Sequence, residues 1–247
     1  MSENRVKGKG KKLFLVGVGP GSSRYLTDIV KEVIKKSKYL IGYKYTLSII
    51  RDLIIPNFHQ VYEVSMKNQD EVYNEVHKKL RENEFCTIPF TGDVNFSESE
   101  VVDRLLEIFG DDKVELMPGI SSIQVAASRA KIPLDKARVF SFHVTEDIED
   151  KKRELVKAIQ NKESVVLVPR PWGNNTGKNF MQSQIALYLK NQGIDTSKLL
   201  VWIFEFLTTP EERVFKGKLR ELENMDFSPM SVMVIDQVRR KTYLEFY

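Results

Sequence analysis

The feature that most constrains the fold is a regular alternation of short apolar runs and amphipathic stretches along the chain. Residues 13–18 form the first apolar run, which is typical of a buried strand. Residues 27–36 follow with apolar side chains at helical spacing, and Thr27 is a residue type that favours a helix N-terminus. Repeated strand–helix units of this kind predict a mainly parallel sheet with helices on its faces.

The alternation continues over the rest of the chain. In the first half we predict further strands at 39–41, 60–64, 86–90 and 114–117, and further helices at 45–53, 70–81 and 99–109. In the second half we predict helices at 121–130, 151–160 and 183–191, and strands at 138–143, 165–168, 199–206, 212–217 and 231–236. The last two strands have no full helix between them, so the second sheet should be mixed.

The two series predict an α/β protein of two domains, with the active-site cleft between them. We place the domain boundary just before Pro118, where the fifth strand stops. The predicted domains are therefore an N-terminal α/β domain at 12–117 and a C-terminal α/β domain with a mixed sheet at 118–247. Residues 1–11 are rich in glycine and lysine, and we expect them to form a disordered basic tail.

Charge and composition exclude several classes of function. Residues 1–12 hold five of the 38 basic residues and one of the 34 acidic residues, so the rest of the chain has no net charge. It therefore has no excess of basic residues with which to form a broad nucleic-acid-binding surface. Cys86 is the single cysteine and His59, His77 and His143 are scattered, so we expect neither a disulfide nor a metal site. No apolar run approaches the roughly 20 residues of a membrane span or has a signal-peptide pattern. We therefore expect a cytoplasmic protein that binds no membrane.

The first predicted strand runs into the turn Gly17-Val18-Gly19-Pro20-Gly21. Its spacing is G-x-G-x-G, whereas a dinucleotide-binding turn is G-x-G-x-x-G. Pro20 has no amide hydrogen to offer a phosphate, and residues 39–42 lack the acidic residue that would bind a ribose. The turn is therefore either a ligand-facing loop of another kind or a purely structural turn.

Two further turns follow later strands. Gly92-Asp93 comes after the fourth strand, at the edge where open α/β sheets bind ligands, although Asp93 could equally cap a turn. Ser121-Ser122 comes after the fifth strand and could present hydroxyl groups and free backbone donors to a ligand. The alternative is that one of these serines is a helix N-cap.

In their order and placement, these three turns resemble the tetrapyrrole methylase family. The resemblance covers residues 12–238, and Leu26-Thr27 behind the first turn agrees with the family's pattern. It implies a methyltransferase that takes its methyl group from S-adenosylmethionine, bound in the cleft between the domains.

The resemblance also implies a set of donor-binding residues. By motif these are Gly19, Pro20, Gly21, Gly92, Asp93, Phe96, Ser121 and Ser122. By position alone the resemblance adds Leu167 or Val168, Glu205 and Met230, which would line the adenosine side.

Within the family, four segments are most similar to the branch that methylates carbon 5 of a cobalt-precorrin in cobalamin biosynthesis. They are residues 39–44, 118–127, 137–143 and 207–213. The chain departs from that branch at Val94, where proline usually follows Gly-Asp, while Phe96 retains the aromatic residue. The departure concerns the backbone path of the loop more than the methyl donor.

The implied substrate is an anionic tetrapyrrole or corrinoid, so cationic contacts are expected. Arg170 ends a predicted strand and is our candidate for a carboxylate partner, with an ordinary surface arginine as the alternative. Candidates for a proton-removing base are Asp93, His143 and Tyr43, although a lone histidine at a strand end is more often structural.

We also expect a homodimer, by resemblance, and a single methyl transfer per macrocycle without decarboxylation. Residues 237–247 are too few for a further domain, so decarboxylation would fall to a separate carbon-15 methyltransferase. The alternatives are another precorrin or uroporphyrinogen methylase, a diphthine synthase, a ribosomal RNA ribose methylase, or a non-catalytic corrinoid- or nucleotide-binding protein. The neutral charge balance opposes an RNA substrate, and the three intact turns oppose a non-catalytic role.

Overall fold

The structure, a computed structural model, describes residues 12–171 and 179–237. The predicted tail at 1–11 lies outside the described residues. The chain divides between Ser121 and Ser122 into two compact units, whereas the sequence places the boundary before Pro118. Each unit carries one five-stranded sheet with helices, which agrees with the predicted fold class.

The sheet of the first unit is parallel throughout, with the strand order β3-β2-β4-β1-β5. Its strands are β1 (Lys12–Gly17), β2 (Tyr39–Tyr43), β3 (Gln60–Val64), β4 (Phe85–Phe90) and β5 (Val114–Met117). Because β1 lies between β4 and β5, the turns that follow these three strands are neighbours at one edge of the sheet.

Four α-helices connect these strands: α1 (Asp28–Lys36), α2 (Lys44–Ile49), α3 (Gln69–Lys79) and α4 (Ser99–Phe109). Thr27 caps α1 as predicted, since its hydroxyl accepts from the Val30 amide at 3.4 Å. The predicted helix at 45–53 is wrong in its second half. The α-helix ends at Ile49, the next residue Ile50 is fully buried, and a separate 3₁₀ turn covers Arg51–Leu53.

Alternate residues of β1 pack on opposite faces of the first sheet. Leu13 and Leu15 belong to a core with α3 and α4, whereas Phe14 and Val16 belong to a core with α1 and α2. Both faces are therefore covered, which explains why β1 reads as a continuous apolar run rather than an alternating one.

The sheet of the second unit is mixed, as predicted, with the strand order β6-β7-β10-β8-β9. Its strands are β6 (Ala137–Ser141), β7 (Ser164–Val168), β8 (Leu200–Glu205), β9 (Arg213–Lys218) and β10 (Ser231–Asp236). Among the strand pairs that the structure describes in this unit, β6–β7 is parallel, whereas β7–β10, β10–β8 and β8–β9 are antiparallel. A short 3₁₀ segment at Leu219–Asn224 joins β9 to β10.

The helices of this unit are α5 (Ser122–Ala130), α6 (Glu149–Gln160) and α7 (Gln182–Asn191). Residues from α6, α7 and the inner side of the sheet form one core, including Leu155, Leu189 and Ile203. Helix α5 contacts β7 and β10. Within the described ranges, no helix is long and apolar enough to cross a membrane.

Candidate active site

Three turns meet at the carboxyl edge of the first sheet, in an arrangement of glycines that we call the glycine junction (Gly17, Gly19, Gly92 and Gly119). The Gly19 amide donates to the Gly92 carbonyl at 3.1 Å, and the Gly92 amide donates to the Gly19 carbonyl at 2.7 Å. These paired bonds join the turn after β1 to the turn after β4. The junction thus presents backbone rather than side chains at the edge where α/β sheets bind ligands.

Side chains cannot be added inside this junction. A Cβ at Gly119 would lie 2.4 Å from the Gly92 carbonyl oxygen and 2.5 Å from the Gly17 carbonyl carbon. A Cβ at Gly17 would lie 2.6 Å from both the Gly119 nitrogen and the Gly92 oxygen. All of these neighbours are backbone atoms, so the packing of three turns depends on glycine. Neither Gly17 nor Gly119 is among the site residues predicted from the sequence.

The first turn has the conformation that its glycines suggest. Gly19 has a φ of +80°, in the left-handed region, and Pro20 is buried behind it. Half-buried Gly21 leads into a 3₁₀ turn at Ser23–Tyr25. A Cβ at Gly19 would lie 2.8 Å from the Tyr25 Cβ, so this glycine is required both by its φ and by its neighbour.

Asp93 caps its own turn. One carboxylate oxygen, Oδ1, accepts from the Asn95 amide and from the Asn95 side chain, each at 3.0 Å. The Phe96 amide donates to the Asp93 carbonyl at 3.0 Å. Val94, which stands where the related branch has proline, is 1% exposed and packs in the core with α3 and α4. The loop therefore uses an apolar anchor in place of the proline.

The serine pair lies where α5 begins. Ser121 is 7% exposed, and Ser122 is the first residue of α5 and half-buried. Ser122 therefore lies where the orphan amides of a helix N-terminus are found.

A cluster of ionisable side chains lies further along the same sheet edge; we call it the Glu98 cluster (Tyr43, Asp70, Tyr73, Glu98 and Arg104). Tyr43 ends β2, and its hydroxyl donates to the Gln69 side-chain oxygen at 2.8 Å. Arg104 donates to Asp70 at 2.8 Å. Burial raises the pKa of Tyr43, and the negative charge of Glu98 raises it further. Burial also raises the pKa of Tyr73; Tyr43, Asp70 and Glu98 raise this pKa slightly further, whereas Arg104 lowers it.

Glu98 immediately precedes α4 and is half-buried in this cluster. Burial raises the pKa of its carboxyl group from 4.5 to about 7. The helix N-terminus acts in the opposite direction, but such an effect is only about 0.3–1 kcal/mol, less than one pKa unit. Burial therefore dominates. Glu98 is not among the predicted site residues, because an acidic residue just before a helix is common and does not by itself indicate a site.

The position-based candidates of the second unit have different surroundings. The Leu167 side chain is fully buried in the core with α6 and α7, so of the predicted pair only Val168, half-buried at the end of β7, offers its side chain. Glu205 Oε1 accepts from the Ser228 amide at 2.6 Å and from Arg213 at 3.1 Å. This carboxylate is therefore engaged in holding β8, β9 and the loop before β10.

Met230 lies beside a strained turn after β8. Its carbonyl accepts from the Phe206 amide at 2.9 Å, and both Phe206 (φ 48°) and Thr208 (φ 71°) are in the left-handed region. Glu212 fixes this turn by accepting from the Thr208 amide at 2.6 Å and from Arg129 at 2.8 Å. Glu212 therefore links the turn in segment 207–213 to Arg129 of α5, a contact that the sequence alone does not reveal.

Arg170 is not an ordinary surface arginine, so that alternative is wrong. Its side chain is 5% exposed, and Nη2 donates to the Thr145 carbonyl at 3.0 Å. Arg170 and Lys152 line a cavity of about 260 Å³ together with Glu146, Asp147 and Glu149, so acidic side chains outnumber basic ones in this lining. Arg170 as the partner of a substrate carboxylate remains a prediction.

The three candidates for a base do not lie together in one unit. Asp93 and Tyr43 are both at the carboxyl edge of the first sheet. His143 is exposed in the second unit, two residues beyond the end of β6. Among the residues that the structure describes, no group of histidine, cysteine and acidic side chains could hold a metal ion.

Comparison with known proteins decides the family. A sequence model of the Tetrapyrrole (Corrin/Porphyrin) Methylases matches residues 12–223, which is most of the chain. The chain belongs to the tetrapyrrole methylase family. The predicted resemblance is therefore confirmed, and the protein is a methyltransferase that uses S-adenosylmethionine.

Individual relatives agree with this assignment. The chain is 27% identical over 227 residues to a probable cobalt-precorrin-7 C(5)-methyltransferase of Methanocaldococcus jannaschii, covering 91% of this chain and 97% of the relative. Among solved structures, the methyltransferase CobJ has a TM-score of 0.70 at 16% identity, with 94% and 97% of the two chains covered. Uroporphyrin-III C-methyl transferase from Thermus thermophilus, complexed with S-adenosyl homocysteine, has a TM-score of 0.67 at 20% identity, with 91% of each covered. These two structures support the tetrapyrrole methylase fold.

Proposed function

We propose that this tetrapyrrole methylase transfers a methyl group from S-adenosylmethionine to carbon 5 of a cobalt-precorrin in cobalamin biosynthesis. The observation that carries the proposal is the similarity to the M. jannaschii protein, which extends over 97% of that relative and 91% of this chain. The four segments in the sequence that are most similar to the carbon-5 branch point the same way.

The proposed donor site uses the glycine junction with Pro20, Gly21, Asp93 and Phe96. A junction whose glycines leave no room for a Cβ fits a ligand that contacts the backbone closely. Asp93 has one carboxylate oxygen bonded to Asn95, so the turn that carries it is already fixed before a ligand binds. Ser121, Ser122, Val168, Glu205 and Met230 remain predicted contacts.

Methyl transfer from a sulfonium needs alignment more than side-chain chemistry. The reacting carbon and the methyl group must be held in line at about 3–3.5 Å, with water excluded. Turns pinned by paired backbone hydrogen bonds, such as those between Gly19 and Gly92, suit that task because they lose little freedom on binding.

A turnover assay tests the proposal. Purified protein is incubated with ¹³C-methyl-labelled donor and a panel of precorrins with and without cobalt, and the products are analysed by NMR and mass spectrometry. We expect one labelled methyl group at carbon 5 of a cobalt-precorrin and every acetate side chain retained. A methyl group at another carbon, or loss of carbon dioxide with this protein alone, would contradict the proposal. Transfer to ribosomal RNA, or to the protein substrate of a diphthine synthase, would instead reassign the substrate class.

A further inference from the structure

Methyl transfer to a neutral macrocycle leaves a proton to be removed. The carbon's electron pair forms the new C–CH₃ bond, the S–CH₃ bond breaks with its electrons staying on sulfur, and the positive charge passes to the macrocycle. Charge balance then requires the macrocycle to release one proton. An efficient proton acceptor has a pKa near the working pH and lies within hydrogen-bond reach of the proton.

We propose that the Glu98 carboxylate accepts this proton and becomes a neutral carboxylic acid. This inference rests on the proposed methyl transfer and adds to it a residue that the donor site does not include. Glu98 lies in the loop that begins with Gly92-Asp93, so one loop would carry both a donor contact and the base.

The position of Glu98 favours this role. The carboxyl ends of parallel strands are where open α/β sheets bind their ligands, and Glu98 follows β4 at that edge. Its backbone carbonyl accepts from the Val101 and Val102 amides at 3.1 and 2.9 Å, which fixes the residue at the start of α4. The side chain takes no part in these bonds and remains half-buried.

The charges around Glu98 leave its carboxylate able to change protonation. The charge of Glu98 acts on Tyr43 from β2 and on Tyr73 from α3, and Asp70 from α3 and Arg104 from α4 act on the same two tyrosines. Arg104 is paired with Asp70 at 2.8 Å, and within the described part of the chain no cation lies within ion-pair distance of Glu98. A half-buried carboxylate without a cation takes up a proton more readily than an exposed one.

Two other candidates for a base at the same sheet edge, Asp93 and Tyr43, are less suited. Asp93 Oδ1 already accepts two hydrogen bonds from Asn95, so this oxygen is engaged in holding its own turn. Tyr43 donates its hydroxyl hydrogen to Gln69, and burial raises its pKa further above neutrality. Glu98 has a pKa of about 7, which matches the requirement of a proton acceptor at neutral pH.

The test is the pH dependence of methyl transfer in wild type, Glu98→Gln, Glu98→Asp and a control, Glu107→Gln, which changes an exposed glutamate on the same helix. The wild-type kcat should rise through about pH 7 and level off above it, because only ionised Glu98 accepts a proton. Glu98→Gln should lower kcat by about 10²-fold and abolish the rise, whereas Glu98→Asp should retain it with a lower plateau. Glu107→Gln should match wild type.

Two further measurements separate this inference from its neighbours. Donor affinity should be unchanged in Glu98→Gln, and its melting temperature above pH 7 should rise rather than fall, because burial of the ionised carboxylate opposes folding and amidation removes that charge. NMR of protein labelled with ¹³C at glutamate carboxyl carbons should show one signal that titrates near pH 7 and is absent from Glu98→Gln. Wild-type kcat and pH profile in Glu98→Gln would overturn the proton-acceptor role while leaving the proposed function standing. Absence of methyl transfer by the wild type would instead refute the proposed function.

Discussion

Replacement of Gly119 by alanine is the sharpest test of the glycine junction. The added Cβ would lie 2.4 Å from the Gly92 carbonyl oxygen, whereas ordinary contact begins near 3.4 Å. The turns after β4 and β5 must therefore separate by about 1 Å, and because both neighbours are backbone, no side-chain rotation relieves the contact. Gly119 has no positive φ, so the cost is steric rather than conformational.

The magnitude follows from this displacement. Overpacking of this kind lowers the free energy of unfolding by about 1–3 kcal/mol. A misplacement of about 1 Å at a site that aligns two reactants lowers the rate by as much as about 10²-fold. We therefore expect Gly119→Ala to remain folded with reduced stability, to bind S-adenosylhomocysteine more weakly, and to lose most of its methyl transfer.

Calorimetric titration with S-adenosylhomocysteine, urea denaturation and a turnover assay measure the three effects. Gly193→Ala is the matched control, since Gly193 has a φ of +80° and open space around its Cβ position. That variant should lose about 1–2 kcal/mol of stability through backbone strain alone and bind the donor normally. Unchanged donor affinity and unchanged stability in Gly119→Ala would refute the assignment of the junction.

Three further predictions concern other parts of the molecule. Gly19→Leu should abolish donor binding in calorimetry while circular dichroism stays native, because the new Cβ would lie 2.8 Å from the Tyr25 Cβ and a φ of +80° disfavours leucine, so the turn must change shape. Normal donor binding by this variant would show that the turn is not part of the donor site. Arg170→Ala should lower the free energy of unfolding by about 1–3 kcal/mol in denaturation, since a charged hydrogen bond to a carbonyl is lost. If Arg170 also binds a substrate carboxylate, macrocycle affinity falls while donor affinity does not; equal macrocycle affinity ends that role. Arg129→Ala should release Glu212 and cost about 1 kcal/mol, measured by denaturation, and a change within error would show that the turn after β8 does not need the pair.

The sequence by itself determined the order of the elements and the location of the ligand-facing turns. Periodicity is a local property, so the strand at Gln60–Val64 and the helix at Ser99–Phe109 are found with their predicted bounds. The turn Gly17–Gly21 and the pair Gly92-Asp93 were also identifiable, because glycine and aspartate have backbone preferences that act within a few residues.

Only the tertiary structure decided which residues meet and which are buried. That Gly17 and Gly119 touch depends on β1 lying beside β5, and that Leu167 faces the core depends on which side of the sheet α6 and α7 cover. Glu98 and Arg170 are both buried by residues that are distant in the chain. This burial raises the pKa of Glu98 and removes Arg170 from the surface. Contacts, burial and electrostatic environment depend on packing between residues that are distant in the chain. A local sequence pattern therefore cannot predict them.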